Sequence, residues 1–197
     1  MIARLVSLVV GYILGNFLSA EVVTRIIAKK SIFDLGSGNP GMANTMRSVG
    51  IVPGIFVLAG DALKTIISLL ISYSLFHDNI ALHYAALGTL LGHNFPLWHH
   101  FDGGKGVVVT CLWLMILYRL WGVLCCIAGG LIVLFTSWLP LGAVVITSFG
   151  VIVAFLKGGK ELGFLFTIAC ILMFIKHSPG LRKIFNKQSA PHFFLSK

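Results

Sequence analysis

Residues 51–76 read I-V-P-G-I-F-V-L-A-G-D-A-L-K-T-I-I-S-L-L-I-S-Y-S-L-F. Asp61 and Lys64 are the only charges in that run. A helix needs about twenty predominantly apolar residues to cross the hydrocarbon of a bilayer, so Ile51 to Phe76 predicts a membrane span. Ionisable side chains at such depth are costly and point to function by default. Asp61 and Lys64 lie one helical turn apart and can pair, so a purely structural ion pair stands beside the functional reading.

The rest of the chain has the same character. Of its 197 residues 57% are hydrophobic and 11% charged, with a mean hydropathy of +0.96. Soluble domains carry about a quarter charged residues. The expected fold is therefore an all-α polytopic membrane bundle in one domain, 1–197. Further apolar runs fall at Ile2–Ala20, Ile80–Leu91, Val107–Tyr118, Leu120–Trp138, Leu141–Leu156 and Leu162–Ile175. The first passes straight into a polar loop without a small-residue cleavage site, which predicts a retained span. Val107–Tyr118 is short and fits either a tilted crossing or a re-entrant segment.

Seven spans place the termini on opposite sides. With the N-terminus outside, loop 21–50, loop 92–106 and tail 176–197 share the inner side. That side then carries Arg25, Lys29, Lys30, Arg47, Lys105, Lys176, Arg182, Lys183, Lys187 and Lys197. The outer side carries Arg4, Arg119, Lys157 and Lys160. This is the bias of a cytoplasmic inner face. It accounts for the net charge of +9 without nucleic acid, for which no soluble domain remains. Cys111, Cys125, Cys126 and Cys170 all sit in apolar runs with no C-x-x-C spacing, so they read as buried small hydrophobes. No internal repeat suggests a transporter's inverted halves.

Two polar loops carry the chemistry. The first contains Gly36-Ser37-Gly38-Asn39-Pro40-Gly41-Met42-Ala43-Asn44-Thr45-Met46-Arg47. A turned, glycine-rich backbone with free N–H groups beside a fixed cation is the makings of an anion cradle. Arg47 can fork onto a phosphate and Ser37 can donate its hydroxyl, with Asn44 placed to brace the loop from within. The G-x-G-x-x-G pattern has no strand before it, which removes the dinucleotide reading. The bland reading is a turn-rich connector.

The second loop reads G-H-N-F-P-L-W-H-H-F-D-G-G-K-G from Gly92 to Gly106. His99 stands where a Walker A loop needs its first glycine. Lys105 among Gly103, Gly104 and Gly106 still sets a point charge beside exposed N–H groups. The alternative is a basic residue at a helix start in the membrane interface. His93, His99 and His100 lack the cysteine or glutamate partners of a zinc site, so no metal is expected. His99 and His100 read as interfacial like Trp98, whereas His93 sits at a helix end against Gly92 and Pro96. In the tail, Lys176-His177 precedes a basic amphipathic segment suited to anionic lipid headgroups.

The succession G-S-G-N-P-G-x-x-N-x-x-R, then G-D-x-L-K at Gly60–Lys64, then G-H-x-F-P-x-x-x-x-F-x-G-G-K-G, then a basic-His pair resembles the bacterial acyl-phosphate:glycerol-3-phosphate acyltransferases, the PlsY family. The resemblance covers nearly the whole chain. It implies seven membrane helices with the N-terminus outside, in the bacterial inner membrane, and an active site at the cytoplasmic face. It implies transfer of an acyl group from acyl-phosphate to glycerol 3-phosphate, giving lysophosphatidic acid and phosphate, with no cofactor and no metal. Membrane lipids and other enzymes of phospholipid synthesis would be its surroundings. Lys105, Arg47, Ser37 and His177 would carry catalysis. Gly36, Ser37, Gly38, Asn39, Gly41, Asn44, Arg47, His93, Gly103, Gly104, Lys105, Gly106 and His177 would bind the substrate phosphates.

The chain departs from the family pattern in three places. Met42-Ala43 replaces A-T in the first loop. Pro140-Leu141-Gly142-Ala143 replaces S-L-x-S after the fifth span. In the tail Gly180 stands for an asparagine, Lys183 for arginine, Asn186 for glycine and Gln188 for glutamate. These changes keep two other readings open: a different acceptor, or a membrane protein that binds phosphate or lipid without turnover.

Overall fold

The computed structural model describes residues 1–186; the end of the basic tail, 187–197, lies outside the described residues. Among the described residues there are helices and no strands. Three helical stretches are long and apolar enough to cross a membrane: Ile2–Ile27, Ile51–Phe76 and Leu139–Phe185. The chain divides into two compact units, Met1–Val109 and the residues from Thr110 onward.

The first unit is built on helices α1 (Ile2–Gly15), α2 (Ser19–Ile27), α3 (Met42–Ser48), α4 (Ile51–Phe76) and α5 (Asn79–Asn94). The expected first span, Ile2–Ala20, is broken after Gly15. Asn16 folds its side-chain amide back onto the Tyr12 carbonyl at 2.6 Å, and Leu18 is extended. The expected loop 21–50 thus contains most of α2 and all of α3.

Helices α1 and α5 run side by side and parallel. Gly11 lies against Ala85, Gly15 against Thr89, Gly88 against Leu8 and Gly92 against Tyr12, each so close that a Cβ would collide with the facing backbone. The two G-x-x-x-G sequences, Gly11–Gly15 and Gly88–Gly92, therefore form one seam. This is how helices associate where lipid removes any hydrophobic drive between them. Helix α4 runs antiparallel to both. Its Ser72 hydroxyl meets Ser7 at 2.6 Å, and its Ser68 hydroxyl meets Thr89 at 2.7 Å.

Helix α6 (Val107–Tyr118) starts in the last residues of the first unit and continues in the second, where it and α7 (Leu120–Thr136) reverse at Arg119, whose φ is +49°. Gly122 packs on the Leu114 carbonyl across that turn. The segment α8 (Leu139–Phe185) is helical on both sides of Gly159, which has φ 77° and ψ −172°. Pro140 meets Gly180 and Phe166 meets Gly150, and the rings of Phe155 and Phe164 stand 5.6 Å apart. These pairs close toward Gly159, so α8 is an antiparallel hairpin. The apolar runs expected at Leu141–Leu156 and Leu162–Ile175 are its two arms. The second arm continues to Phe185 through Pro179, so Lys176–Phe185 of the expected tail is helix.

Candidate functional site

Loop one is held by buried polar anchors. Asn44 is 5% exposed. Its amide nitrogen donates to the Leu35 carbonyl at 2.9 Å, and its oxygen accepts the Ser37 N–H at 3.0 Å. The loop turns at Gly36 (φ +55°) and Gly38 (φ +71°), a backbone region that glycine enters without strain. A Cβ at Gly36 would strike the Asn44 and Ser48 side-chain oxygens. Upstream, Glu21 accepts the Ile32 N–H at 2.9 Å and the Ser31 hydroxyl at 2.8 Å and pairs with Arg25 at 2.5 Å. Ile32 and Phe33 thereby pack onto Ala20 and Val57. Pro40 is buried beneath the loop, while Ser37 and Arg47 stand exposed and Asn39 and Gly41 are half-buried.

Loop two lies on the end of α5. The Tyr12 hydroxyl donates to the Phe95 carbonyl at 2.9 Å, and the Asn16 side-chain oxygen accepts the Leu97 N–H at 2.5 Å. The chain then returns. The Gly104 N–H donates to the His93 carbonyl at 2.9 Å. Side chains at Gly103 or Gly104 would run into the His93 backbone or ring. Gly106 turns with φ +76° into α6. Lys105 is half-buried in this turn. The rings of Phe33 and His99 approach to 5.4 Å, so the two loops meet at one end of the first unit. His99, read as interfacial from sequence, is the contact between them.

Beneath the loops lies a buried ion cluster. Lys64 Nζ contacts Asp61 Oδ1 at 2.8 Å, the Phe17 carbonyl at 2.8 Å and His93 Nδ1 at 2.8 Å. Ser19 donates its hydroxyl to Asp61 Oδ1 at 3.1 Å. The sequence offered Asp61 and Lys64 as a pair; the structure adds His93 and the α1–α2 break as its partners. Asn94, next to His93, is fully buried, and among the described residues neither of its amide atoms has a hydrogen-bond partner.

Sequence reasoning missed Ser19, Glu21, Asn16 and Asn94. Glu21 carried the plainest signal, a carboxylate directly after an apolar run. Among the described residues no three His, Cys, Asp or Glu side chains converge as metal ligands would.

His177 belongs to the second unit, 3% exposed on the later arm of α8. Near it the two departures from the family pattern touch: a Cβ on Gly180 would stand 2.5 Å from Pro140 Cγ. An expected serine and an expected asparagine are thus replaced by one apolar contact. Toward the Gly159 turn, Trp121, Leu124, Phe149, Ile152 and Leu156 line an apolar cavity of about 590 Å³. Lys157 also lines it, its Nζ 4.9 Å from the Trp121 ring centroid.

The model of the family described as glycerol-3-phosphate acyltransferase matches residues 5–187. A protein of Lactobacillus johnsonii named glycerol-3-phosphate acyltransferase 1 is 41% identical over 169 residues, 85% of this chain and 82% of that protein. A glycerol-3-phosphate acyltransferase of Francisella tularensis is 32% identical over 186 residues, 93% of this chain and 90% of that one. The crystal structure of PlsY (YgiH), an integral membrane glycerol 3-phosphate acyltransferase in its glycerol 3-phosphate form, superposes with a TM-score of 0.84 at 23% identity, covering 94% of each chain.

Proposed function

The chain belongs to the glycerol-3-phosphate acyltransferase (PlsY) family, and on that premise we propose that it transfers a fatty acyl group from acyl-phosphate to glycerol 3-phosphate. The observation that carries this reading is the meeting of the two glycine loops, each with its own cation, at one end of the first unit. Two phosphorylated substrates need two anion cradles side by side. Ser37, Asn39 and Arg47 serve one phosphate. Lys105 and backbone N–H groups of its turn serve the other, and the family resemblance gives His177 a phosphate-binding role as well.

In the reaction the glycerol hydroxyl oxygen bonds to the acyl carbon and the carbonyl becomes a tetrahedral oxyanion. Fixed donors are worth most against charge that develops in the transition state, and Lys105 with its neighbouring N–H groups supplies them. The bond from acyl carbon to phosphate oxygen then breaks, phosphate leaves, and the hydroxyl proton passes to a phosphate oxygen. No side-chain base is needed.

The same reading makes residues 1–197 one integral-membrane domain with seven crossings and the N-terminus outside. The loops then face the cytoplasm at a bacterial inner membrane, beside the other enzymes of phospholipid synthesis. The charge distribution along the sequence supports that orientation.

Donor choice tests the proposal. Purified protein is given glycerol 3-phosphate with either palmitoyl-phosphate or palmitoyl-CoA. Equal amounts of phosphate and lysophosphatidic acid from the first, and no product from the second, are expected. Product from palmitoyl-CoA alone would overturn the donor assignment. A second reading, transfer to another acceptor, is favoured by the apolar Pro140–Gly180 contact and would show as acyl-phosphate consumed only with that acceptor.

A further inference from the structure

The buried cluster under the loops has a chemical consequence for His93. Lys64 Nζ has three neighbours at 2.8 Å: a carboxylate oxygen, a carbonyl oxygen and an imidazole nitrogen. An ammonium has three N–H donors and no lone pair. Paired with the Asp61 carboxylate it leaves the cluster neutral, the arrangement that limits the cost of burying charge. Its third proton then lies toward His93 Nδ1, which must accept. Asp61 Oδ1 is 3.8 Å from the same nitrogen, too far for a hydrogen bond. A neutral imidazole that accepts at Nδ1 carries its proton on Nε2.

Nε2 is the atom that faces the glycine loop. A Cβ at Gly104 would fall upon it, and the Gly104 N–H is already tied to the His93 carbonyl. We propose that the Asp61–Lys64 pair locks His93 in its Nε2–H tautomer, and that the ring so fixed seats the Gly103–Gly106 loop and sets the position of Lys105. Asp61, Lys64 and His93 are positioning residues on this account. Ser19 and the Phe17 carbonyl hold the pair from the α1–α2 break, so the interruption of the first helix is part of the same device. The inference rests on the reading of Lys105 as a group of the acyl-transfer site.

The test has two independent readouts. In protein labelled with ¹⁵N-histidine, His93, assigned by comparison with a His93→Gln sample, shows a single Nε2–H tautomer. In the Asp61→Asn, Lys64→Met double variant, which leaves no lone buried charge, that signal gives way to a mixture. Turnover with palmitoyl-phosphate and glycerol 3-phosphate falls in kcat on the order of a hundredfold, the effect of a reacting group misplaced by about 1 Å. His93→Gln places an amide N–H near the position of Nε2 and retains more activity than His93→Asn, which mimics Nδ1. Lys64→Arg keeps a cation and restores part of both signals. A wild-type His93 protonated on Nδ1, or a double variant with unchanged tautomer and unchanged kcat, overturns the proposal. The tautomer is read without substrate, so a wild-type protein inactive with these substrates would reject the acyltransferase reading while the lock itself is still decided.

Discussion

The Ser37 N–H donates to the side-chain oxygen of Asn44 at 3.0 Å, and the same side chain donates from its nitrogen to the Leu35 carbonyl at 2.9 Å. One buried amide thus holds both sides of the first glycine turn. Asn44→Ala leaves the Ser37 donor and the Leu35 acceptor without these bonds, and each such loss costs about 1–3 kcal/mol. The expected result is a lower unfolding temperature in detergent and a raised KM for a phosphorylated substrate. Asn44→Asp keeps an acceptor for the Ser37 N–H but buries a carboxylate against the Leu35 carbonyl, so its defect should be at least as large. An Asn44→Ala protein with wild-type unfolding temperature and KM would contradict the bracing role.

The seam between α1 and α5 predicts a sharp contrast between glycines. Gly88→Val drives a branched side chain into the Leu8 carbonyl; overpacking of this kind costs about 1–3 kcal/mol or more. At Gly130 a Cβ meets nothing within 4 Å. Gly130→Ala should therefore be neutral or stabilise by up to about 1 kcal/mol through helix propensity. Thermal unfolding of the two variants in one detergent measures both signs.

The buried amide of Asn94 predicts opposite effects on stability and activity. Both of its polar atoms are without hydrogen-bond partners among the described residues, and replacing such a group by an apolar one of similar shape is neutral or stabilising. Asn94→Leu should unfold at the same or a higher temperature. If the amide serves a substrate or the loop beside Gly106 during turnover, kcat falls as stability holds. A variant both less stable and fully active would contradict this.

The contact between Pro140 and Gly180 predicts coupling. Gly180→Asn alone forces its side chain against the proline ring and should destabilise by about 1–3 kcal/mol. Adding Pro140→Ser removes the obstacle, so the double variant should be more stable than the single effects sum to. Additive effects would mean that the two positions do not communicate.

Much of this was legible in the sequence because membrane spans and phosphate loops leave strong compositional marks. Ile51–Phe76 announced itself by length and apolarity, and the helix has those bounds. Asn44 was readable as a brace because it follows three glycines and a proline in a polar loop. The rest depended on three-dimensional register. Period and hydropathy cannot show that Gly11 and Gly15 face Gly88 and Gly92 from a parallel helix some seventy residues away. The break after Gly15 was hidden because Phe17 and Leu18 continue the apolar run through it. The third partner of the Asp61–Lys64 pair, His93, lies on another helix, and only the fold brings it within 2.8 Å.

On this reading the two glycine loops and their cations perform acyl transfer. The most direct test is the rate at which the purified protein makes lysophosphatidic acid from palmitoyl-phosphate and glycerol 3-phosphate, measured beside Arg47→Ala and Lys105→Ala. Loss of a charged donor to a transition-state anion costs on the order of a hundredfold or more in kcat. Product is expected from the wild-type chain, with a loss of that size in kcat for Lys105→Ala and a comparable loss in kcat/KM for Arg47→Ala, both variants remaining folded. Wild-type rates in either variant would contradict this reading.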